Sequence, residues 1–233
     1  QMKNKRRTVF PLWTLEWATS FLKDYQKSHL DKWKNAKKIY FVRHARTRMN
    51  DKTFLGQGRN PGIIDSEISL SQKIKVEVSF FSNTRRCKET VKVIAPNSNF
   101  FPDERLNEIN YGSIEGYTFE ELKKKHPEII KEWSKGNDPR FPGGGENTID
   151  VHSRLKDFIK EINHRKFKSA LVVTHNVVLR CLIGGAHGIA ITDWHKLNIP
   201  HAEPLEFYLL NGEIFSNIPR LLLGDIFDNL REI

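Results

Sequence analysis

Three short apolar runs limit what this chain can become. Lys38–Val42 (KIYFV), Lys75–Phe81 (KVEVSFF) and Ala170–Thr174 (ALVVT) are too short for packed helices, are rich in β-branched and aromatic residues, and are bounded by polar ones. The segments between them have helical spacing. Residues 84–95 (TRRCKETVKVIA) read as a helix stopped by Pro96, residues 117–135 as helical with a break at Pro127, and residues 148–163 as a cleaner helix carrying Val151, Leu155, Phe158, Ile159 and Ile162. A further helix runs to about Gly188, and LEFYLL at 205–210 is extended. Apolar strands alternating with helices predict an α/β fold: three layers, α/β/α, around a mostly parallel central sheet.

Two of the three strands end on histidine. Arg43-His44 closes the first and His175-Asn176 the third. In parallel α/β sheets ligands bind outside the carboxyl ends of strands, where loops converge with helix N-termini that favour anions. A lone histidine there is usually structural; two at the same sheet edge, one beside an arginine, point to a site.

Charge and cysteine content narrow the classes. The formal net charge is +10, but residues 1–38 hold ten Lys/Arg against three Asp/Glu, which leaves +3 for the rest. The excess is therefore an N-terminal property: either a solvated basic helix face or a contact for an anionic membrane, nucleic acid or acidic partner. Residues 12–35 place Leu12, Leu15, Trp17, Phe21, Leu22, Tyr25, Leu30 and Trp33 at mostly helical intervals, an amphipathic preface to the main domain. No run approaches the roughly 18 apolar residues of a membrane span, and no signal-peptide pattern opens the chain, which reads as cytoplasmic. It begins on Gln1, as a piece of a longer protein does. Cys87 and Cys181 have neither disulfide-framework nor zinc-ligand spacing and are expected to be reduced and buried.

Five blocks in order carry a family resemblance. Arg43-His44-Ala45-Arg46-Thr47-x-x-Asn50 resembles the Arg-His-Gly-Glu-Thr-x-x-Asn signature of the histidine phosphatase superfamily, which includes phosphoglycerate mutases and the fructose-2,6-bisphosphatase domain. Ser82–Thr90 (SNTRRCKET) is similar to its Ser-Pro-Leu-x-Arg-Ala-x-x-Thr, and Leu106–Gly116 (LNEINYGSIEG) to its Leu-x-Glu-x-x-x-Gly-x-x-Glu-Gly. Pro142–Glu146 resembles its Pro-x-Gly-Glu segment and Val172–Asn176 its second histidine block. The resemblance spans about residues 38–212. It implies a phosphoglycerate mutase-like fold, with residues 1–37 as a basic helical extension and 38–233 as the phosphatase domain.

What it implies for chemistry follows residue by residue. Phosphate monoesters hydrolyse very slowly unaided, so a nucleophile, charge neutralisation and a proton donor are all required. His44 matches the nucleophile, which needs a neutral ring with its other nitrogen held by a fixed acceptor, usually a backbone carbonyl. Arg43 and Arg86 match the phosphate clamp, with His175, cationic when phosphate is bound, completing it and Asn50 and the Asn176 amide as further donors. Glu108 matches the acid that protonates the leaving oxygen and then activates water. No metal or cofactor is implied.

Some positions depart from the pattern. Ala45 replaces Gly, Asn83 replaces Pro, and Arg46 stands where an acidic or polar residue is common. The path from Ser71 to Lys75 is too short for the helix the family carries before its second strand; the segment 12–35 is the expected substitute. The Gly116–Leu122 stretch passes directly into a helix, without the longer insertion of the mutases, which favours hydrolysis of a small phosphorylated metabolite. Arg46, Arg48, Arg59 and Arg140 are candidates for a second anionic group on the substrate. A mutase and a non-catalytic phosphate-binding scaffold are the alternatives. The apolar tail 218–230 would dock on its own core or on a second copy.

Overall fold

The computed structural model describes residues 33–50, 53–64, 68 and 73–217. Residues 12–32 of the N-terminal helix expected over 12–35, and the tail 218–230, lie outside them. The fold begins with β1 (Lys37–Arg43) and continues through β2 (Val78–Phe81), α1 (Arg85–Ile94), β3 (Asn99–Pro102), α2 (Phe119–Lys125), α3 (Pro127–Ser134), α4 (Thr148–His164), β4 (Ser169–Thr174), α5 (Asn176–Ala186), β5 (Leu205–Leu210) and β6 (Glu213–Ser216). The sheet order is β3-β2-β4-β1-β5-β6, with β1 to β4 mutually parallel and β5 antiparallel to both neighbours. The three-layer, mostly parallel architecture is as expected.

The pleat divides the core in two. Ile39 and Phe41 of β1, Phe80 of β2 and Ala170 and Val172 of β4 point to one face, where they meet Val151, Leu155, Phe158 and Ile162 of α4 and Val178 and Leu182 of α5. Val42, Phe81, Leu171 and Val173 point to the other, where Cys87, Val91 and Ile94 of α1 cover them. Among the described residues no helix lies between β1 and β2; Ile63, Ile68, Ile74 and Val76 pack there from irregular backbone.

Three differences from the sequence reading have physical causes. β2 begins at Val78 rather than Lys75: Ile74 N–H still bonds to the Ile94 carbonyl at the end of α1 (3.0 Å). The chain reaches its neighbours at Glu77, whose N–H meets the Ser169 carbonyl at a long 3.3 Å, so regular pairing starts one residue later. β3 was not expected from a four-residue NFFP containing proline; it is an edge strand, where a missing N–H is tolerated. β6 returns from β5 through Asn211-Gly212, both at positive φ (53° and 82°), the two-residue turn that suits the twist of a hairpin. Both cysteines are free and buried, as expected. Among the described residues no helix is long and apolar enough to cross a membrane.

Candidate active site

Sheet order explains why residues far apart in the chain meet. Arg43 pairs with Thr174 across β1 and β4, so the next residues, His44 and His175, emerge side by side. The ladder extends one step further through His44 N–H to the Thr174 carbonyl (2.9 Å), and Ser82 N–H to the Val173 carbonyl (3.1 Å) brings the end of β2 to the same edge. The rings of His44 and His175 lie 5.1 Å apart, centroid to centroid.

His44 is buried, 3 % exposed, and its Nδ1 lies 2.7 Å from the Ala45 carbonyl. A carbonyl only accepts, so Nδ1 carries the hydrogen and Nε2 keeps a lone pair. Burial, then the Arg86 guanidinium, hold its pKa well below the ordinary histidine value, so the ring is neutral at pH 7. The backbone behind it is fixed by Thr90, whose Oγ1 accepts from Ala45 N–H (2.9 Å) and donates to the Arg86 carbonyl (2.7 Å). Ala45 itself is buried without positive φ, so its methyl meets no backbone objection.

Arg86 is fully buried at the start of α1. Its Nη1 donates to the Arg59 carbonyl (2.7 Å) and its Nη2 to the Gly56 carbonyl (2.9 Å), while Nε has no partner. Among the described residues its hydrogen-bond partners are carbonyls, not carboxylates. Glu108 and Glu115 act on it through space, but a buried guanidinium with no carboxylate hydrogen-bonded to it is costly, and an anion there relieves the cost. The 56–58 loop is held from its far side by Glu115, whose carboxylate accepts from Gln57 and Gly58 N–H, both at 2.8 Å. Arg43 donates from Nη1 to the Ile199 carbonyl at 2.8 Å.

Glu108 is 7 % exposed, and its Oε1 accepts from Ile109 N–H (3.0 Å) and from Val177 N–H (3.2 Å) in the first turn of α5. Burial raises its pKa, against the lowering by the Ile109 amide and by Arg86, Arg43 and Arg154. The loop carrying it is braced by Arg154, which donates to the Arg105 carbonyl (2.6 Å), the Glu108 carbonyl (3.2 Å) and the Glu146 carboxylate (2.8 Å). Glu146, from the glycine-rich block, accepts in turn from Asn110 N–H at 2.9 Å.

The remaining expected residues differ in their placing. Asn50 turns its Oδ1 to Thr47 N–H (2.6 Å) and so closes the turn after His44. Asn176 opens α5 with its Oδ1 buried and unpartnered. Arg46 and Arg48 are exposed, Arg59 lies against Gly116, and Arg140 donates to Asp150 (2.6 Å). The buried cluster does not include these four. Sequence reasoning missed Arg154 and His201. The His201 ring lies 5.4 Å from that of His44, with Nδ1–H donating to the His44 carbonyl at 2.8 Å. β5 runs antiparallel, so its beginning falls at the edge where the parallel strands end. A histidine shortly before an apolar strand was the available signal. Among the described residues no group of His, Cys, Asp or Glu side chains is placed to share a metal ion.

A buried neutral imidazole, an anion-ready guanidinium and a carboxyl raised toward neutrality can together transfer a phosphoryl group. Comparison with known proteins agrees. Phosphoserine phosphatase 1 of Hydrogenobacter thermophilus is 26 % identical over 180 residues, covering 71 % of this chain and 83 % of that protein. The fructose-2,6-bisphosphatase of Saccharomyces cerevisiae is 29 % identical over 56 % of this chain and 30 % of its own length. The fold matches the structure of Entamoeba histolytica phosphoserine phosphatase in complex with 3-phosphoglyceric acid, with a TM-score of 0.67 at 20 % identity, over 78 % of this chain and 95 % of that one. Residues 39–212 match the sequence profile of one family along most of the chain, and the protein belongs to it: the histidine phosphatase superfamily, branch 1.

Proposed function

We propose that this phosphatase hydrolyses small phosphate monoesters through a phosphorylated His44. The observation that carries the reading is the hydrogen bond from His44 Nδ1 to the Ala45 carbonyl, which leaves Nε2 as a nucleophile inside a cationic pocket. Nε2 attacks phosphorus and the bond to the leaving oxygen breaks; Glu108, whose burial favours the protonated carboxyl, gives that oxygen its proton. The resulting Glu108 carboxylate takes a proton from water as the water oxygen attacks phosphorus. The N–P bond then breaks, its electron pair returns to Nε2, and inorganic phosphate leaves. Arg43 and Arg86 balance the charge on the equatorial oxygens, with His175, Asn50 and the Asn176 amide as further donors.

The substrate class we favour is a small phosphorylated metabolite with one phosphate. Arg140 is committed to Asp150 and Arg46 and Arg48 stand outside the buried cluster, which weakens the case for a second anionic group. The named relatives act on phosphoserine and fructose 2,6-bisphosphate, so both belong in a panel beside p-nitrophenyl phosphate. Phosphate release by wild type and its loss in His44→Ala support the reading. Phosphoryl exchange between two monophosphates, dependent on a bisphosphate primer, would make the protein a mutase; a folded wild type inert on the whole panel would make it a binding scaffold. For residues 1–38 we keep the proposal of an anionic contact, tested by salt-dependent binding to acidic vesicles or RNA. For the tail we keep docking on the core or a second copy, tested by light scattering.

A further inference from the structure

The end of β2 contains a chain of hydrogen bonds whose proton positions can be worked out in order. Asn107 Oδ1 accepts twice, from Asn83 N–H at 3.1 Å and from Ser82 Oγ at 2.7 Å. A backbone amide only donates, so the side-chain atom facing Asn83 is oxygen and not nitrogen. Ser82 has one hydroxyl proton and two neighbours within 3 Å, Asn107 Oδ1 and His175 Nε2. Asn107 Oδ1 has no proton to offer and the ring nitrogen can carry one, so the hydroxyl donates to Asn107. Thr84 Oγ1 lies further off, 3.3 Å from Ser82 Oγ and 3.4 Å from Nε2. Ser82 Oγ therefore turns a lone pair to His175 Nε2, 2.8 Å away, and Nε2 must carry a hydrogen. In the neutral ring Nδ1 is then bare. It is buried and has no hydrogen-bond partner.

The charged and titratable groups around this ring come from every element packed on it. Burial and then Arg86 of α1 hold it neutral, joined by His44 and Arg43 of β1 and Arg154 of α4. Cys87 Sγ lies 3.5 Å from Nε2 as a thiol whose pKa burial pushes up to about 12, and Glu108, from the loop after β3, sets its carboxylate against the Val177 amide in the first turn of α5.

We propose that Asn107, acting through Ser82, is a positioning residue that fixes His175 as its Nε2–H tautomer, so that phosphate binds together with one proton taken up at Nδ1. The second half rests on the phosphatase reading. A bare Nδ1 repels a phosphoryl oxygen; protonated, it donates to it, and the cation is stabilised by the anion it touches. Without Asn107 the Ser82 hydroxyl is released to donate to Nε2. The neutral ring then carries its hydrogen on Nδ1 and binds phosphate without a proton.

Two measurements test this. In ¹⁵N-histidine NMR of the ligand-free protein near pH 7.5, His175 should show a protonated Nε2 and a bare Nδ1. Asn107→Leu, which keeps bulk but cannot accept, should exchange the two, while Asn107→Asp, which still accepts, should not. A wild-type Nδ1–H tautomer overturns the proposal whether or not any variant folds, and so does an unchanged tautomer in a folded Asn107→Leu. In calorimetric titrations with inorganic phosphate at pH 8, in buffers of different ionisation enthalpy, wild type should take up roughly one proton per site and Asn107→Leu close to none. Phosphate bound without proton uptake by wild type also overturns it. Phosphate that fails to bind while the Nε2–H tautomer is present contradicts the phosphatase reading and leaves the tautomer assignment standing.

Discussion

At the scale of single residues, the candidate site holds two buried histidines neutral among arginines. His44 and His175 both have pKa values held down by burial and by Arg86. A depressed histidine contributes stability that is complete above its unfolded pKa of about 6.5 and is lost as pH falls toward the folded value, at about 1.4 kcal/mol per pH unit for each group. The melting temperature should therefore drop between pH 7 and pH 5, and a folded His44→Asn/His175→Asn variant should lose much of that acid sensitivity. Glu108 has the opposite sign: its pKa is raised by burial, so ionisation in the folded protein is unfavourable as pH rises. Glu108→Gln should leave the melting temperature at pH 8 equal or higher while lowering kcat by about 10²–10⁴. His44, His175, Arg86 and Glu108 were readable in the sequence because each stands at a strand end or in a block of characteristic spacing. Arg154 was not, because its role comes from meeting Glu146 and the Glu108 carbonyl across the fold.

At the scale of elements, the supports of the site are turns and helix ends. Gly112 has φ of 57°, and a Cβ there would lie 2.0 Å from the Pro142 carbonyl oxygen, where the Glu108 loop meets the glycine-rich block. Gly112→Ala combines left-handed strain of about 1–2 kcal/mol with that collision, and should cost both stability and turnover. Chemical denaturation and kcat, measured together, check it. Lys37 donates to the Ile162, Asn163 and Arg165 carbonyls at 2.9, 2.6 and 2.6 Å, closing the C-terminal end of α4. Lys37→Met should cost about 1–2 kcal/mol with little effect on kcat, since the contact is remote from the sheet edge that carries the histidines. The long apolar strands and periodic helices could be read directly. β3 and β6 could not, since four residues hold too little pattern and the sheet edge, not the local sequence, selects them.

At the scale of the whole molecule, the described residues cover the two sheet faces unequally, and strands packed on both faces end at the edge that carries the candidate site. Helices α4 and α5 cover one face, while α1 is the described helix over the other, and it carries Arg86 into the site. Binding an anion there should stabilise the whole fold, because it neutralises a buried guanidinium in the folded state alone. Phosphate at 100 times its Kd should add about 2.7 kcal/mol, read as a rise in melting temperature that is absent in Arg86→Ala. The α/β class was visible from the alternation of strands and helices and the family fold from the resemblance of five motif blocks, but which strands lie side by side was not: the order β2-β4-β1-β5, which sets Ser82, His175, His44 and His201 along one edge, comes from pairing between distant segments. The proposed hydrolysis turns on a covalent intermediate at one ring. Enzyme mixed with substrate for milliseconds, quenched in alkali to preserve an N–P bond and digested for mass spectrometry, should carry a single phosphoryl group on His44 and none in His44→Ala. A label on any other residue, or full turnover by His44→Ala, contradicts it.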